Sequence, residues 1–239
     1  MRMTPMKYLL LGLAFILISS SITLPIAAKT IIENSLRESL QVREITASVH
    51  AYGDVRRNIP FEMLFGKAES IHIKSKDVQV GKLLCSRIDV SAHDVDVDMS
   101  RLVGDGTFVF EHLGEVTASI DVKEEELAKA LEQSAEKLSD VSVTITPSGI
   151  EARGKYALGK SSADVTLAGQ IIGREDKIFF VSEQVALQHA KIGNFSAQLK
   201  TEVELADLSS LPFAVRITNI RPFDGMVYIL VEKENISPQ

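Results

Sequence analysis

Three aspartates at alternate positions form the densest group of potential metal ligands in this sequence. Asp94, Asp96 and Asp98 match the first three ligand positions of a calcium-binding loop. The sixth position, however, is Met99, where the sharp turn of such a loop requires glycine. The intervening residues are apolar, which is typical of a strand with a buried underside. We therefore predict a solvated acidic strand face and no metal site, with a calcium site as the alternative.

Nucleophilic and acid–base chemistry has few candidates. No GxSxG, P-loop, GxGxxG, HExxH or CxxC pattern occurs in the chain. His50 and His72 fall on polar positions of alternating segments, which is typical of solvated histidines. The single cysteine, Cys85, lies in the apolar run KLLCSRI, where a lone cysteine is more often a small core residue than a nucleophile. We therefore predict that the protein has no catalytic residues, binds no cofactor and is not an enzyme.

Composition narrows the class of protein further. The 239 residues are 45% hydrophobic, which is enough for one sizeable core and excludes general disorder. Lys and Arg number 26 against 32 Asp and Glu, so the net charge is −6. Binding to the phosphates of a nucleic acid requires a positively charged surface, so this net negative charge makes nucleic acid a poor candidate partner.

The N-terminus contains the most decisive segment. From Tyr8 to Ala28 the chain carries no charged side chain, and these positions as a helix would span roughly 30 Å. Arg2 and Lys7 precede the segment, which orients the N-terminus towards the cytoplasm. We predict that residues 1–28 are a signal anchor or a cleaved signal peptide. The rest of the chain is then expected outside the cytoplasm, tethered to the cell membrane by a single pass or secreted.

The segments that follow mostly alternate between apolar and polar residues. Glu44 to Tyr52 and Val116 to Val122 are examples, and the alternation predicts long half-buried strands. Asp224-Gly225 between two such runs is a strong hairpin signal. Lys29 to Gln41 has apolar residues at every fourth position, which predicts an amphipathic helix that continues from the apolar segment. Lys123 to Leu138 is the other well-marked helix, with an acidic first turn and an apolar face. Residues 29–235 are therefore predicted to form one mostly antiparallel α+β domain, followed by a tail at 236–239.

A short Pro-initiated segment between two predicted strands concentrates apolar side chains. It is NIPFEMLFG, from Asn58 to Gly66, and it contains Phe61, Leu64 and Phe65. Such a segment is either a lid packed on the core or a lip that contacts lipid or membrane. Composition favours the lid, and the lip remains the alternative.

The order of several motifs resembles the bacterial LmeA-like phospholipid-binding family, formerly a domain of unknown function. The motifs are Pro60 to Ile73, Asp77 to Gly81, Ile88 to Val90, Asp94 to Val97, Leu211-Pro212-Phe213 and Asp224-Gly225. The resemblance implies a domain similar to tubular lipid-binding domains, in which a curved, mostly antiparallel sheet wraps one or two long helices and encloses acyl chains.

The alternating strands agree with this implication, because a sheet with one apolar face and few helices to cover it leaves room for an apolar groove. We therefore expect the domain to bind or carry phospholipid-like molecules in cell-envelope lipid homeostasis. The groove lip is assigned to Phe61, Leu64 and Phe65. Six inward-facing strand residues are the candidate walls, namely Ile71, Ile73, Val78, Val80, Ile88 and Val90.

Two alternatives come from other classes of function. A structural envelope module would bind protein partners, as yet unknown, through exposed strand edges. A lipid esterase would need a serine and a histidine such as His50, His72 or His93 brought together in space. The sequence itself favours the lipid-binding interpretation over both.

Overall fold

A computed structural model describes residues 44–50, 66–98, 100–101, 109–159, 161–188, 202–209 and 214–234. The chain divides into two compact units. Within the described ranges, the first unit takes in residues 45–74 and 90–116, and the second takes in residue 44 and residues 75–89 and 117–234. The predicted N-terminal anchor, with the boundary at residue 28 and the predicted helix from Lys29 to Gln41 that follows it, lies outside the described residues.

The described part of the chain contains twelve strands. They are β1 (Glu44–His50), β2 (Lys67–Val80), β3 (Leu83–Val97), β4 (Phe110–Leu113), β5 (Val116–Lys123), β6 (Leu138–Thr146), β7 (Gly149–Leu158), β8 (Ser161–Arg174), β9 (Lys177–Gln188), β10 (Glu202–Asp207), β11 (Val215–Phe223) and β12 (Met226–Lys233).

The strands form two sheets. A seven-stranded sheet has the order β1-β2-β3-β5-β12-β11, with β4 pairing with β3. A five-stranded sheet has the order β10-β9-β8-β7-β6, and its four pairings are all antiparallel. The prediction of mostly antiparallel sheet is confirmed, and the Asp224-Gly225 turn joins β11 to β12 as expected, with Gly225 at φ 79°.

Helix α1 spans Glu124–Ser134 and starts directly where β5 ends. The backbone N–H of Lys123 donates to the Glu126 carboxylate at 2.7 Å, and three glutamates in the first turn suit the positive end of the helix dipole. Where one or two long helices were expected, the described residues contain the short helix α1, with 11 residues. Ala135 is already extended, and Leu138, predicted to be helical, instead pairs with Tyr156 as the first residue of β6.

Two aspartates explain why the buried face changes along β2 and β3. Asp77 and Asp94 have φ values of 54° and 52°, in the left-handed region that Asp tolerates better than most residues. A residue in this conformation inserts a bulge, after which the opposite set of alternate side chains faces inward. The buried positions accordingly change from Ala92 to Val95 across Asp94. The motifs Ile88 to Val90 and Asp94 to Val97, which are separate in the sequence, therefore belong to one strand, β3.

No helix within the described ranges is both long and apolar enough to pass through a bilayer.

Candidate functional site

Helix α1 is bonded to both outer strands of the five-stranded sheet. Its Glu132 carboxylate accepts from the Val141 N–H of β6 at 2.6 Å, and its Ser134 hydroxyl donates to the Glu204 carbonyl of β10 at 3.1 Å. In a flat sheet, the outer two of five strands would lie roughly 19 Å apart, which exceeds the 10–12 Å diameter of a helix. The sheet is therefore curled into a half-barrel, and α1 lies across its opening.

Strands of the seven-stranded sheet that belong to the second unit meet the same half-barrel. Gly225 in the β11–β12 turn donates its N–H to the Ile145 carbonyl of β6 at 3.0 Å. At the other outer strand, the Lys82 N–H donates to the Leu205 carbonyl of β10 at 3.2 Å. Both outer strands of the curled sheet are thus met by backbone from the other sheet.

The interior of the second unit is one continuous cluster of buried side chains. The half-barrel contributes Val143, Ile145, Ile150, Ala152, Val165, Leu167, Ile171, Ile178, Phe180, Val203 and Leu205. Helix α1 contributes Leu127, Ala128, Ala130 and Leu131. The seven-stranded sheet contributes Leu83, Cys85, Ile120, Val122, Val215, Val227, Ile229 and Val231. We call this cluster the interior.

The interior carries no charged side chain among the described residues, and its one ionisable group is Cys85. Burial raises the pKa of the Cys85 thiol to about 12, with the nearby Glu126 carboxylate adding to the effect. Because the thiolate is the nucleophile, this cysteine is unreactive near neutral pH. The prediction that Cys85 is a core residue is confirmed. The interior is lined by apolar side chains, and the buried Ser182 follows Phe180 on the same inward face of β9.

The candidate wall residues divide between the two units. Val80 and Ile88, both half-buried, pack against the interior of the second unit. Val78 also belongs to the second unit and is fully buried. Ile71, Ile73 and Val90 belong to the first unit, where Ile71 is buried and the other two are half-buried. Their assignment to a lipid-contacting wall remains a prediction, as does the lip of Phe61, Leu64 and Phe65, which lies outside the described residues.

The three aspartates of the calcium alternative each have a protein partner. Asp94 faces His112 at 3.5 Å, and Asp96 faces Lys67 at 3.6 Å. Asp98 accepts from the Ser100 hydroxyl at 2.6 Å and from the Ser100 and Arg101 N–H groups, which hold the pKa of its carboxyl below the ordinary value. Across the described residues, no group of three or more His, Cys, Asp or Glu side chains is arranged to hold a metal ion.

A serine and a histidine do meet in the first unit. The Ser91 hydroxyl lies 3.3 Å from Nε2 of His93, and the His72 ring packs edge-on against the His93 ring at 6.0 Å. His93 is exposed on the strand surface. Acyl transfer also requires oxyanion donors and a group that orients the histidine, usually a carboxylate. The ring beside His93 is another imidazole, so this pair alone does not constitute a hydrolase site.

A polar cavity of about 680 Å³ lies on the outer face of the half-barrel. Asp140, Lys155, Asp164 and Arg153 supply its charged groups. Lys155 bonds to Asp140 at 2.9 Å and is further influenced by Asp164, and both carboxylates raise the pKa of its ammonium group. Arg153 pairs with Glu151 at 2.6 Å. Because its cations are already paired with carboxylates, this cavity is a weaker candidate site than the interior.

The curled sheet, the helix across its opening and the apolar interior define a β-rich domain suited to an apolar ligand. A family model described as LmeA-like phospholipid-binding matches residues 23–232, so the chain belongs to that family. This confirms the resemblance seen in the sequence motifs and supports lipid binding. No curated protein and no solved structure matches the chain.

Sequence reasoning placed the candidate walls in β2 and β3 and missed most of the interior. The missed strands are β6 to β9, and their alternation was a usable signal: Val165, Leu167 and Ile171 are buried while their neighbours are not. The apolar face of α1, with Leu127 and Leu131, was recognised as a helix face but not as part of a candidate site.

Proposed function

We propose that this protein binds phospholipid-like molecules by taking their acyl chains into the interior of the second unit, and that it carries them in cell-envelope lipid homeostasis. The observation that supports this most strongly is a large, continuous apolar cluster between a curled sheet and the short helix α1, in a chain of a phospholipid-binding family. Each methylene transferred from water contributes about 0.8 kcal/mol, so an acyl chain needs no specific polar contact to bind.

The proposal places the protein at the outer face of the cell membrane. The apolar run from Tyr8 to Ala28 and the basic residues that precede it support a single-pass tether, or export if the segment is cleaved. A C-terminal alkaline phosphatase fusion tests this, because the phosphatase is active only outside the cytoplasm. We expect the full-length fusion to have phosphatase activity and the fusion without residues 1–28 to have none. An inactive full-length fusion would contradict the location.

The scaffold alternative depends on free strand edges. At β6 the N–H groups of Val141 and Ile145 are occupied by helix side chains, and the Ile145 carbonyl accepts from Gly225. An added strand would have to displace these partners, so β6 offers little to strand augmentation.

Two adjacent phenylalanines on β9 provide a matched test of lipid binding. Phe180 lies in the interior, whereas Phe179 is half-buried and lies beneath the Arg174 guanidinium. Successive side chains of a strand point to opposite faces, so the two positions differ only in the face they present. Each is replaced in turn by the photo-crosslinker benzoylphenylalanine in the full chain, and cells are irradiated before purification.

Phospholipid adducts identified by mass spectrometry are expected at position 180 and at least several-fold less often at position 179. Equal labelling at the two positions would indicate general membrane exposure and contradict binding in the interior. Absence of adducts at position 180, with lipid adducts at 179, would exclude the interior as the site.

A further inference from the structure

The half-barrel is held together by two different kinds of bond. Its four strand pairs are joined by continuous backbone ladders. Where α1 meets β6, side chains of the helix take the place of a strand: Glu124 accepts from the Ile145 N–H at 2.7 Å, and Glu132 accepts from the Val141 N–H at 2.6 Å. We call this junction the seam.

The spacing of the two glutamates matches the strand they cover. Eight residues of helix rise about 12 Å, and four residues of strand rise about 13 Å. Alternate N–H groups of a strand point away from its paired neighbour, and Val141 and Ile145 supply two such groups to the helix. The helix thus runs antiparallel to β6, with a carboxylate at each end of the seam.

We propose, on the basis of the lipid-binding function above, that the seam is where the interior opens to admit an acyl chain, and that Glu124 and Glu132 form the latch that holds it closed. Separating any two strands of the sheet would break a whole ladder of backbone bonds. Separating α1 from β6 exposes apolar side chains of the helix, but it breaks the two side-chain hydrogen bonds of the seam and, among the described residues, no backbone ladder. Both glutamates are half-buried, so water readily takes over these hydrogen bonds.

The helix also has the attachments that such a movement requires. It follows β5 without a connecting loop, and its Ser134 hydroxyl bonds to β10 on the side away from β6. Leu127 and Leu131 lie in the interior, so displacement of α1 from β6 exposes the apolar cluster directly. The side chains of the interior are shielded from solvent in this structure, and an arriving chain must therefore separate its walls, which we expect at the junction that is easiest to open.

The test uses the absence of tryptophan from the chain. A Tyr156→Trp background places one fluorophore on β7 beside the interior, where Tyr156 is partly buried. The full chain in detergent micelles is mixed rapidly with micelles containing brominated phosphatidylcholine. Because bromine quenches tryptophan by contact, the quenching rate reports arrival of an acyl chain, and its final extent reports occupancy.

The variants in this background are Glu124→Ala with Glu132→Ala, the same pair changed to Gln, and Glu125→Ala. Glu125 is an exposed carboxylate in the same first turn and serves as the matched control. Hydrogen exchange of the Val141 and Ile145 amides is measured in parallel, since it reports opening of the seam itself. Gln retains a carbonyl acceptor, so the Gln pair keeps the seam folded should the Ala pair fail to fold.

Relative to the background, we expect the Ala pair to take up lipid about tenfold faster or more and the Gln pair to be intermediate. Exchange of the two β6 amides should rise in the same order, while the control leaves both rates unchanged. Faster amide exchange without faster quenching would show that lipid enters elsewhere, overturning the seam and leaving the proposed function intact. Unchanged amide exchange in both pairs would show that the glutamates are not a latch. Absence of quenching in the background and in every variant would overturn the proposed function and the seam together.

Discussion

The same local irregularity occurs in both units of this protein, at Asp94 in β3 and at Asp140 in β6. Each aspartate is left-handed, with φ values of 52° and 54°, and each begins an Asp-Val-x-Val sequence. Each lies opposite a glycine, Gly114 or Gly154. Each carboxylate also faces a basic side chain from the paired strand, His112 at 3.5 Å or Lys155 at 2.9 Å.

The two bulges differ in what lies beyond them. After Asp140, the next residue, Val141, donates its N–H to Glu132 of α1, so the bulge begins a strand edge that a helix covers. After Asp94, β3 continues to pair with β4, and the Val97 N–H donates to the Gly66 carbonyl at 2.9 Å. The same kind of bulge therefore precedes a helix-covered strand edge in the second unit and a strand pair in the first unit.

The largest effect on stability should come from shortening a side chain of the interior, which lies in the unit that contains the Asp140 bulge. Leu131→Ala removes a fully buried side chain of the interior, whereas Leu113→Ala removes a buried leucine outside that cluster, at the end of β4. We expect the first to lower the free energy of unfolding by about 4 kcal/mol and the second by about 2 kcal/mol. Denaturant titration of the full chain, followed by circular dichroism, measures both. Equal losses would mean that the two units do not differ in packing.

A smaller effect is expected from adding a methyl group opposite each bulge. A Cβ at Gly114 would lie 2.7 Å from the His93 carbonyl oxygen, and one at Gly154 would lie 2.9 Å from the Ser139 carbonyl oxygen. Backbone must shift in both cases, so Gly114→Ala and Gly154→Ala should each cost about 1–3 kcal/mol. Gly159→Ala measures left-handed backbone strain alone, because its φ is 70° and nothing lies within 4 Å of its Cβ position. If Gly114→Ala and Gly154→Ala are as stable as the wild type, the close approach at the bulges does not constrain the fold.

Changing the bulged aspartates themselves should have a more modest effect. Alanine tolerates the left-handed region less well than Asp does, so Asp94→Ala and Asp140→Ala should each lose about 1 kcal/mol. Asp94→Gly and Asp140→Gly relieve that strain and should lie close to the wild-type stability. Thermal melts of the four variants separate backbone strain from loss of the ion pairs, since both substitutions remove the carboxylate. Glycine variants as unstable as the alanine variants would assign the effect to the ion pairs.

The smallest effect is the pH dependence of stability that comes from single carboxyl groups. Its sign should differ between Asp121 in the second unit and Asp98 in the first unit. Burial, with repulsion from Asp89, raises the pKa of Asp121 above 3.8 despite the attraction of Arg87. Its ionised form therefore destabilises the fold at pH 7, and this loss disappears as pH falls through the raised pKa. Asp98 has a pKa below 3.8, chiefly through the Ser100 hydroxyl, so its stabilising effect persists above 3.8 and is lost as pH falls through the lowered pKa.

Melting temperatures of Asp121→Asn and Asp98→Asn across pH 2–7 test this contrast. The first variant should melt slightly above the wild type at pH 7 and the second slightly below it. Both differences should shrink in acid, because the wild-type carboxyl then becomes neutral like the amide. Differences of the same sign at pH 7 would show that the two carboxyls do not lie in opposite environments.

Much of the fold follows from the sequence pattern. Alternation located β1 and β5, and Asp224-Gly225 located the last hairpin. The motifs also placed the chain in its family, and the matching range of residues 23–232 confirms this. Periodicity failed at Leu138, which fits the apolar face of a helix as well as it fits a strand, and pairing with Tyr156 decides between them.

The candidate site could be foreseen only in part. Alternation identifies an apolar face, but it does not say which other face covers it. Val80 and Ile88 do pack against the interior, whose other strands were not identified, and their role as a lipid-contacting wall remains a prediction. The seam could not be predicted from the sequence. Glu124 and Glu132 look like solvated helix residues in the sequence, and nothing in their spacing reveals a strand alongside.

By itself, the sequence determined where many of the extended segments and several turns lie, and that the protein belongs to a phospholipid-binding family. These are properties of neighbouring residues, whose periodicity and backbone preferences act over a few positions. Only the tertiary structure decided that the five-stranded sheet curls, that α1 closes it, and that two glutamates replace a strand along β6. The physical reason is that an outer strand must satisfy its outward N–H groups, and the partner that does so is selected by three-dimensional proximity.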